Sequence, residues 1–327
     1  MPIVVNSNAS ATEASFNLSR NNEALRKSLG RLSSGKRINN PADDAGGLAV
    51  AYKLNSTINR SYATIQNAQN ALSYLQVQDS ALATVGKILD RMAELRTMAQ
   101  DITKNSGDIE NYSKEFLELQ NQLRQVKEEK FNGISLFSIS GSDVAGSKAQ
   151  LTQDNAGVYV DAAGSTQNYT KYGRELITHP SGNTGNGSIS LNVVNLQFVL
   201  SLNGTANANI NLGGINNTAG TVAATAMGGD NYITNIRDVS VSEFINAIEK
   251  LADARAENGA EQNRIMNSIN LLQTNVTNLE AAHGRIMDAD IALESTRFAR
   301  YNVLVQASAA MTAQANQMTN IALSLLG

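Results

Sequence analysis

Near the N-terminus the apolar positions fall on one helical stripe: Leu18, Leu25, Leu29 and Leu32 are spaced by seven, four and three. Ser33-Ser34-Gly35 predicts the end of that helix, because glycine can adopt the left-handed cap conformation. A second helix is predicted to start at Asn40-Pro41. There Asn caps, Pro fills the first helical position, and Asp43 and Asp44 complement the positive end of the dipole. Its apolar positions run through Ile65, Ala68, Leu72, Leu75, Leu82, Leu89 and Met92 to a polar break at 104–108, and a further helix uses Phe116, Leu119 and Leu123.

The clearest repeat lies downstream. Ile265, Ile269, Leu272, Val276, Leu279, His283 and Ile286 alternate spacings of four and three, the seam of a coiled coil. The same phase read backwards meets Phe244, Ile248 and Leu251, then Arg255, Asn258 and Gln262, which interrupt it with polar side chains. At the far end Leu304, Met311, Ala315, Met318, Ala322 and Leu325 continue a stripe at helical spacing.

Between about 139 and 236 the helical period gives way to Gly, Asn, Ser and Thr. Leu196, Phe198, Leu200 and Leu202 alternate, Asn203-Gly204 supplies a type I′ turn pair, and Ala206, Ala208, Ile210 and Leu212 alternate back, which predicts a β-hairpin. The fold class expected is therefore mainly α. The N- and C-terminal regions form an antiparallel coiled coil or helical bundle around a β-rich inserted middle region.

With 327 residues the chain can bury real cores, and an apolar palette without Trp and with 5% aromatics suits helix-on-helix packing. A formal net charge of -3 gives no general electrostatic reason to bind nucleic acid. The N-terminal segment is basic, with Arg20, Arg26, Lys27, Arg31, Lys36 and Arg37 against Glu13 and Glu23. No aromatic platform is interleaved there, so a polar face partnering acidic residues elsewhere is the preferred reading over nucleic acid or membrane.

Residues 301–327 contain no charged side chain and exceed the roughly 20 residues needed to cross a bilayer. Asn302, Gln306, Gln314, Asn316, Gln317 and Asn320 would each need a partner in lipid, so no membrane span is expected; protein helices around this one would satisfy both facts. Residues 1–10 lack the basic and apolar regions of a cleavable signal, so any export is expected by another route.

Chemistry is sparse. There is no Cys, and the two histidines, His179 and His283, have no second ligand at zinc spacing. No phosphate-binding loop, nucleophile elbow or dinucleotide fingerprint occurs. No catalytic, cofactor-binding or metal residues are expected, and the chain is not expected to be an enzyme.

Five segments occur in order: Leu32-Ser33-Ser34-Gly35-Lys36-Arg37-Ile38-Asn39-Asn40-Pro41-Ala42-Asp43-Asp44-Ala45-Gly46-Gly47-Leu48-Ala49, Phe131-Asn132-Gly133, Gly259-Ala260-Glu261-Gln262-Asn263-Arg264, Arg285-Ile286-Met287-Asp288-Ala289-Asp290, and the ending from Ala313-Gln314-Ala315-Asn316-Gln317 through Leu323-Ser324-Leu325-Leu326. Together they resemble bacterial flagellin. The chain departs from the family pattern at Asn258, where Leu is usual, at Gly46, where Ala is frequent, and at Tyr301-Asn302, where Gln and an apolar residue are typical.

The resemblance implies a structural subunit that polymerises into the bacterial flagellar filament for swimming, exported unfolded by the flagellar type III system. The alternative is a hook-filament junction (hook-associated) protein with the same terminal helices. Other rivals are an enzyme-bearing filament protein and a membrane-anchored coiled coil. The implied location is the extracellular filament, or the periplasm where flagella are enclosed. The implied partners are further copies or other flagellins, a secretion chaperone, the export gate, the filament cap and hook-associated proteins.

It also implies a division into an N-terminal inner-core helix (1–40), outer-core helices (41–138), an outer-core β region (139–176), a β-rich surface insertion (177–236), an outer-core C-terminal helix (237–288) and an inner-core C-terminal helix (289–327). Assembly would rest on Leu18, Leu25, Leu29, Leu32, Leu304, Met311, Met318 and Leu325. Arg37, Asp43, Asp44, Arg285, Asp288 and Asp290 would sit at an inter-domain joint. The run Leu89-Asp90-Arg91-Met92-Ala93-Glu94-Leu95 with Glu115 resembles a family motif read by an innate immune receptor, which makes Arg91, Leu95 and Glu115 a candidate patch; ordinary packing and surface roles explain the same residues equally well.

Overall fold

The computed structural model describes residues 8–138, 152–160, 166–201, 227–228, 232–233 and 235–326. Helix α1 spans Ala9–Ser34, capped by Asn8, whose side chain accepts from the Ala11 N–H at 3.0 Å. It stops at Gly35, which takes φ 69° and donates its N–H to the Arg31 carbonyl, as the glycine signal predicts.

Helix α2 spans Ala45–Met98 and so begins later than the Asn40-Pro41 signal predicts. Asp43 Oδ2 accepts from the N–H groups of Asn39 and Asn40, and Asp43 N–H donates to the Asn40 carbonyl, so this stretch closes into a turn. The cap is Asp44 instead, accepting from Gly47 N–H at 2.8 Å. Helix α3, Ser106–Lys127, starts with a capping box between Asn105 and Asp108. Three further helices follow: α4 at Leu196–Val199, α5 at Val241–Met287 and α6 at Ile291–Leu326.

Strands β1 (Lys130–Phe131) and β2 (Ile134–Ser135) form a small hairpin whose turn places Asn132 and Gly133 at φ 51° and 77°, the residues best able to hold a left-handed pair. Strands β3 (Phe137–Ser138), β4 (Thr152–Val160), β5 (Thr166–Ile177) and β6 (Ser188–Asn195) form a sheet in the order β3-β6-β5-β4, with β3 and β6 parallel and the other pairs antiparallel. Short strands β7 (Met227–Gly228) and β8 (Tyr232–Ile233) pair separately.

The hairpin predicted from Leu196 onward does not form in its first arm. Asn195 caps a single helical turn, accepting from Phe198 N–H at 3.2 Å, and Leu200 N–H returns to the Leu196 carbonyl at 3.0 Å. Leu196, Phe198, Val199 and Leu200 are all buried, so the alternation arises within one compact turn. The second arm lies outside the described residues.

By contacts the chain forms two compact units, residues 1–59 with 275–327, and residues 60–274. In the first, α1 packs on α6, and Ile38, Ala51 and Met287 form a small core with Leu48 and Ile286. In the second, Leu75, Leu82, Leu89, Met92 and Leu95 of α2, Phe116 and Leu123 of α3, and Phe244 and Leu251 of α5 are buried. Phe116 and Phe244 meet edge to face at 6.1 Å. Each of these large side chains contributes roughly 1.5–3 kcal/mol by leaving water.

The polar interruption expected in the α5 seam becomes a bonded network within the second unit. Asn258 is buried; its amide donates to Gln78 Oε1 at 2.7 Å and to the Leu75 carbonyl at 3.3 Å, and Gln262 donates to Asn258 Oδ1 at 2.6 Å. Gln78 in turn donates to the Leu136 carbonyl at 2.8 Å. Arg255 stays exposed, outside the seam, and pairs with Asp79 at 2.9 Å.

Candidate functional site

The terminal helix pair offers two surfaces, a seam and an outer face. On α6 the residues withdrawn from solvent between 291 and 317 are Glu294, Phe298, Tyr301, Val305, Ser308, Thr312 and Ala315, a strict alternation of four and three. On α1 the matching positions are Ala11, Ala14, Leu18, Asn21, Leu25, Ser28 and Leu32. Small and polar residues dominate this seam.

Its polar members are bonded across. Asn21 Nδ2 donates to Ser308 Oγ at 2.8 Å, Asn8 Nδ2 to the Ala315 carbonyl at 2.8 Å, and Ser28 Oγ to the Glu294 carbonyl at 3.3 Å. The buried Glu294 carboxylate takes Arg297 at 3.3 Å and faces Arg31 at 4.0 Å. The Arg31 Nε atom is buried without a hydrogen-bond partner among the described residues.

Outside the seam, several large apolar side chains are exposed to water in a single chain. Leu29 is 54% exposed, Leu304 39% and Met311 64%, and Phe16, Ile291, Leu293 and Val303 are exposed as well. Of the residues expected to carry assembly, Leu18, Leu25 and Leu32 lie in the seam, whereas Leu29, Leu304 and Met311 face outward. Ala315 belongs to the seam, one phase away from Leu304 and Met311. Met318 and Leu325 are on α6, and their side chains lie outside the described set.

The six joint residues all fall in the first unit. Arg37 donates its backbone N–H to the Met287 carbonyl at 2.6 Å, Lys36 bridges Asp288, and Ala289 N–H reaches the Gly35 carbonyl at 2.9 Å, so the two groups are adjacent through backbone. Asp43 pairs with Lys27, and this bond together with the Asn39 and Asn40 N–H groups holds its carboxyl below the ordinary aspartate value. Asp44 caps α2; Asp290 caps α6 by accepting from Ala292 and Leu293 N–H at 3.0 and 3.1 Å. Arg37 and Arg285 form no side-chain ion pair among the described residues. Lys27 and Arg31 belong to the basic face expected to partner acidic residues, and they meet Asp43 and Glu294. Asn21, Ser28, Glu294 and Ser308 emerge only from a heptad pattern that admits polar members.

Arg91 lies with Glu115 at 2.8 Å and Glu94 at 3.0 Å on an exposed surface, and these two acids raise the arginine pKa above its usual value. Leu95 is fully buried in the helical core. Among the described residues no three His, Cys, Asp or Glu gather to hold a metal, and no helix is long and apolar enough to cross a membrane.

A polar-seamed terminal helix pair that turns large apolar side chains outward, joined through helices to an inserted sheet, defines a structural assembly subunit. Residues 5–142 match the family model of the bacterial flagellin N-terminal helical region, and residues 242–326 that of the bacterial flagellin C-terminal helical region. The chain belongs to the bacterial flagellin family and is a structural subunit of the flagellar filament.

Relatives match along the whole chain. A flagellin of Bacillus subtilis (strain 168) is 29% identical over 333 residues, spanning 98% of this chain and 99% of its own. The flagellar filament 33 kDa core protein of Treponema phagedenis is 28% identical over 334 residues, spanning 99% and 100%. Among solved structures, a putative flagellar hook-associated protein from Vibrio parahaemolyticus aligns with TM-score 0.52 at 15% identity, covering 75% of this chain and 100% of that one, a likeness of fold alone.

Proposed function

We propose that the outward apolar face of α1 and α6 is the surface on which further copies of this chain assemble, and that the pair becomes fully ordered only when neighbours cover it. The observation that carries this is the exposure of Leu29, Leu304 and Met311 beside a seam in which half the positions are Ala, Ser, Thr or Asn. Two helices sharing so small an apolar seam recover little of the ordering entropy, roughly 1–2 kcal/mol per residue of backbone. Covering the outer face supplies the missing burial. Met318 and Leu325 follow Met311 at heptad spacing in the sequence.

On this reading the chain has no enzymatic role. It travels unfolded through the type III export gate, held by a secretion chaperone, and adds beneath the filament cap. Its site is the extracellular filament, or the periplasm where flagella are enclosed. The terminal segments 1–40 and 289–327 act as the inner core, 41–138 and 237–288 as the outer helices, 139–176 as the outer-core β region and 177–236 as the surface insertion. Asp43, Asp44, Asp288 and Asp290 fix the turns that join the helices. Arg91 and Glu115 remain the accessible part of the candidate receptor patch.

Seeded polymerisation tests the central point. Met311→Glu and Leu304→Glu should each slow elongation at least tenfold while leaving far-UV helicity of the outer helices intact. Normal elongation by both variants would sink the reading.

A further inference from the structure

We propose that Asn21 and Ser308 set the register of the terminal helix pair, and that they act in assembly as positioning residues without touching the neighbouring subunit. This rests on the reading that the outer face is the assembly surface.

Hydrophobic burial alone specifies the register of this seam poorly. Along α1 one heptad position is Ala11, Leu18, Leu25 and Leu32, so sliding by seven residues replaces leucine with leucine over most of its length. The other α1 position is Ala14, Asn21 and Ser28, and α6 offers Tyr301, Ser308 and Ala315 at the same repeat. After a slip of seven, Asn21 would face Tyr301 or Ala315 in place of Ser308, and the 2.8 Å bond would be lost. The Ser28 bond to the Glu294 carbonyl and the Asn8 bond to the Ala315 carbonyl can find another backbone oxygen one or two turns away, since every turn of α6 carries one. Asn21 instead meets the Ser308 side chain, whose equivalents one heptad away are Tyr301 and Ala315; Arg31 and Glu294 also meet across the pair, more loosely, at 4.0 Å. A polar group inside a seam costs stability relative to an apolar one and is best understood as a device for register.

Register matters here because both helices carry exposed apolar side chains whose relative positions it sets. Phe16 and Leu29 come from α1, and Leu293, Leu304 and Met311 from α6. A slip of seven residues would displace one set against the other by about 10 Å at the helical rise, and the combined surface would no longer match a neighbour.

Two variants separate register from simple stability. Asn21→Leu adds apolar surface to the seam, so a residue that merely stabilised the pair would be replaced with no loss of elongation and with a higher filament dissociation temperature. The register role predicts instead that seeded elongation falls at least fivefold. The exchange Asn21→Ser with Ser308→Asn rebuilds the bond in the opposite sense and should return elongation to within twofold of the parent chain. Unchanged elongation by Asn21→Leu overturns the proposal, and so does failure of the exchange to rescue. Met311→Glu run alongside keeps the two readings distinguishable: if it elongates normally, the assembly surface itself is misplaced, whereas a Met311→Glu defect with a normal Asn21→Leu removes the register role alone.

Discussion

Asn258 donates its side-chain amide to Gln78 Oε1 at 2.7 Å, and both side chains are buried where the sequence pattern alone suggests a broken seam. The pair joins α5 to α2, and Gln78 carries the network on to the Leu136 carbonyl at 2.8 Å and the Asn192 carbonyl at 3.3 Å. A leucine at 258 leaves Gln78 Oε1 and the Gln262 amide without this partner. An unmade buried bond costs about 1–3 kcal/mol. Asn258→Leu should therefore lower the unfolding free energy of the chain by about that amount despite its greater apolarity. Adding Gln78→Leu should recover part of the loss, and thermal or urea unfolding of the four-member cycle measures the coupling.

Glu261 gives the second unit a pH dependence. Its carboxylate accepts the Asn192 N–H through both oxygens at 3.0 Å, and burial, reinforced by nearby Glu257, raises its pKa from 4.5 to about 7, while Lys171 and Arg264 oppose the shift. The folded chain thus holds this proton more tightly than the unfolded one. The resulting stabilisation is complete below 4.5 and is lost as pH rises through about 7. Glu261→Gln should flatten the difference in melting temperature between acid and alkaline sides of this window. A parent chain equally stable across it would contradict the assignment.

Asp43 works in the opposite direction. Its bond to Lys27 and to the Asn39 and Asn40 N–H groups lowers its pKa, so the stabilisation is present above the ordinary value of 3.8 and disappears as pH falls through the lowered one. Asp43→Asn should weaken amide protection of residues 37–47 at neutral pH and cease to differ from the parent in strong acid. Amide exchange at the two pH values checks this.

How much of this is legible in the sequence depends on where the large apolar residues point. In α5 the heptad positions Ile265, Ile269, Leu272 and Val276 are buried, as the heptad predicts. In α6 the residues facing α1 are Glu294, Ser308, Thr312 and Ala315 among two aromatics and one valine, while Leu304 and Met311 face out. A hydrophobic stripe there marks the outer face, and the seam has to be read from small and polar positions. Leu196, Phe198 and Leu200 mislead for a different reason: the Asn195 cap turns an alternating string into one buried helical turn. Lys27 is legible as part of a basic face that partners acids, but Asp43 is not legible as its partner, because a helix terminus separates them and the turn at Asn40 brings them together.

Phe116 tests the core of the second unit. It is fully buried against Phe244, and Phe116→Ala removes both the aromatic contact and the burial, at a cost of about 3–5 kcal/mol. Thermal unfolding should show the loss, with the α1 and α6 exchange pattern unchanged.

The exposed Leu29, Leu304 and Met311 and the small-residue seam behind them make one requirement of the terminal helices. Hydrogen exchange of residues 9–34 and 291–326, followed in a dilute monomer and again in the polymerised filament, measures it directly. Rapid exchange in the monomer and strong protection in the filament is the expected result; full protection in the dilute monomer would contradict ordering by neighbours.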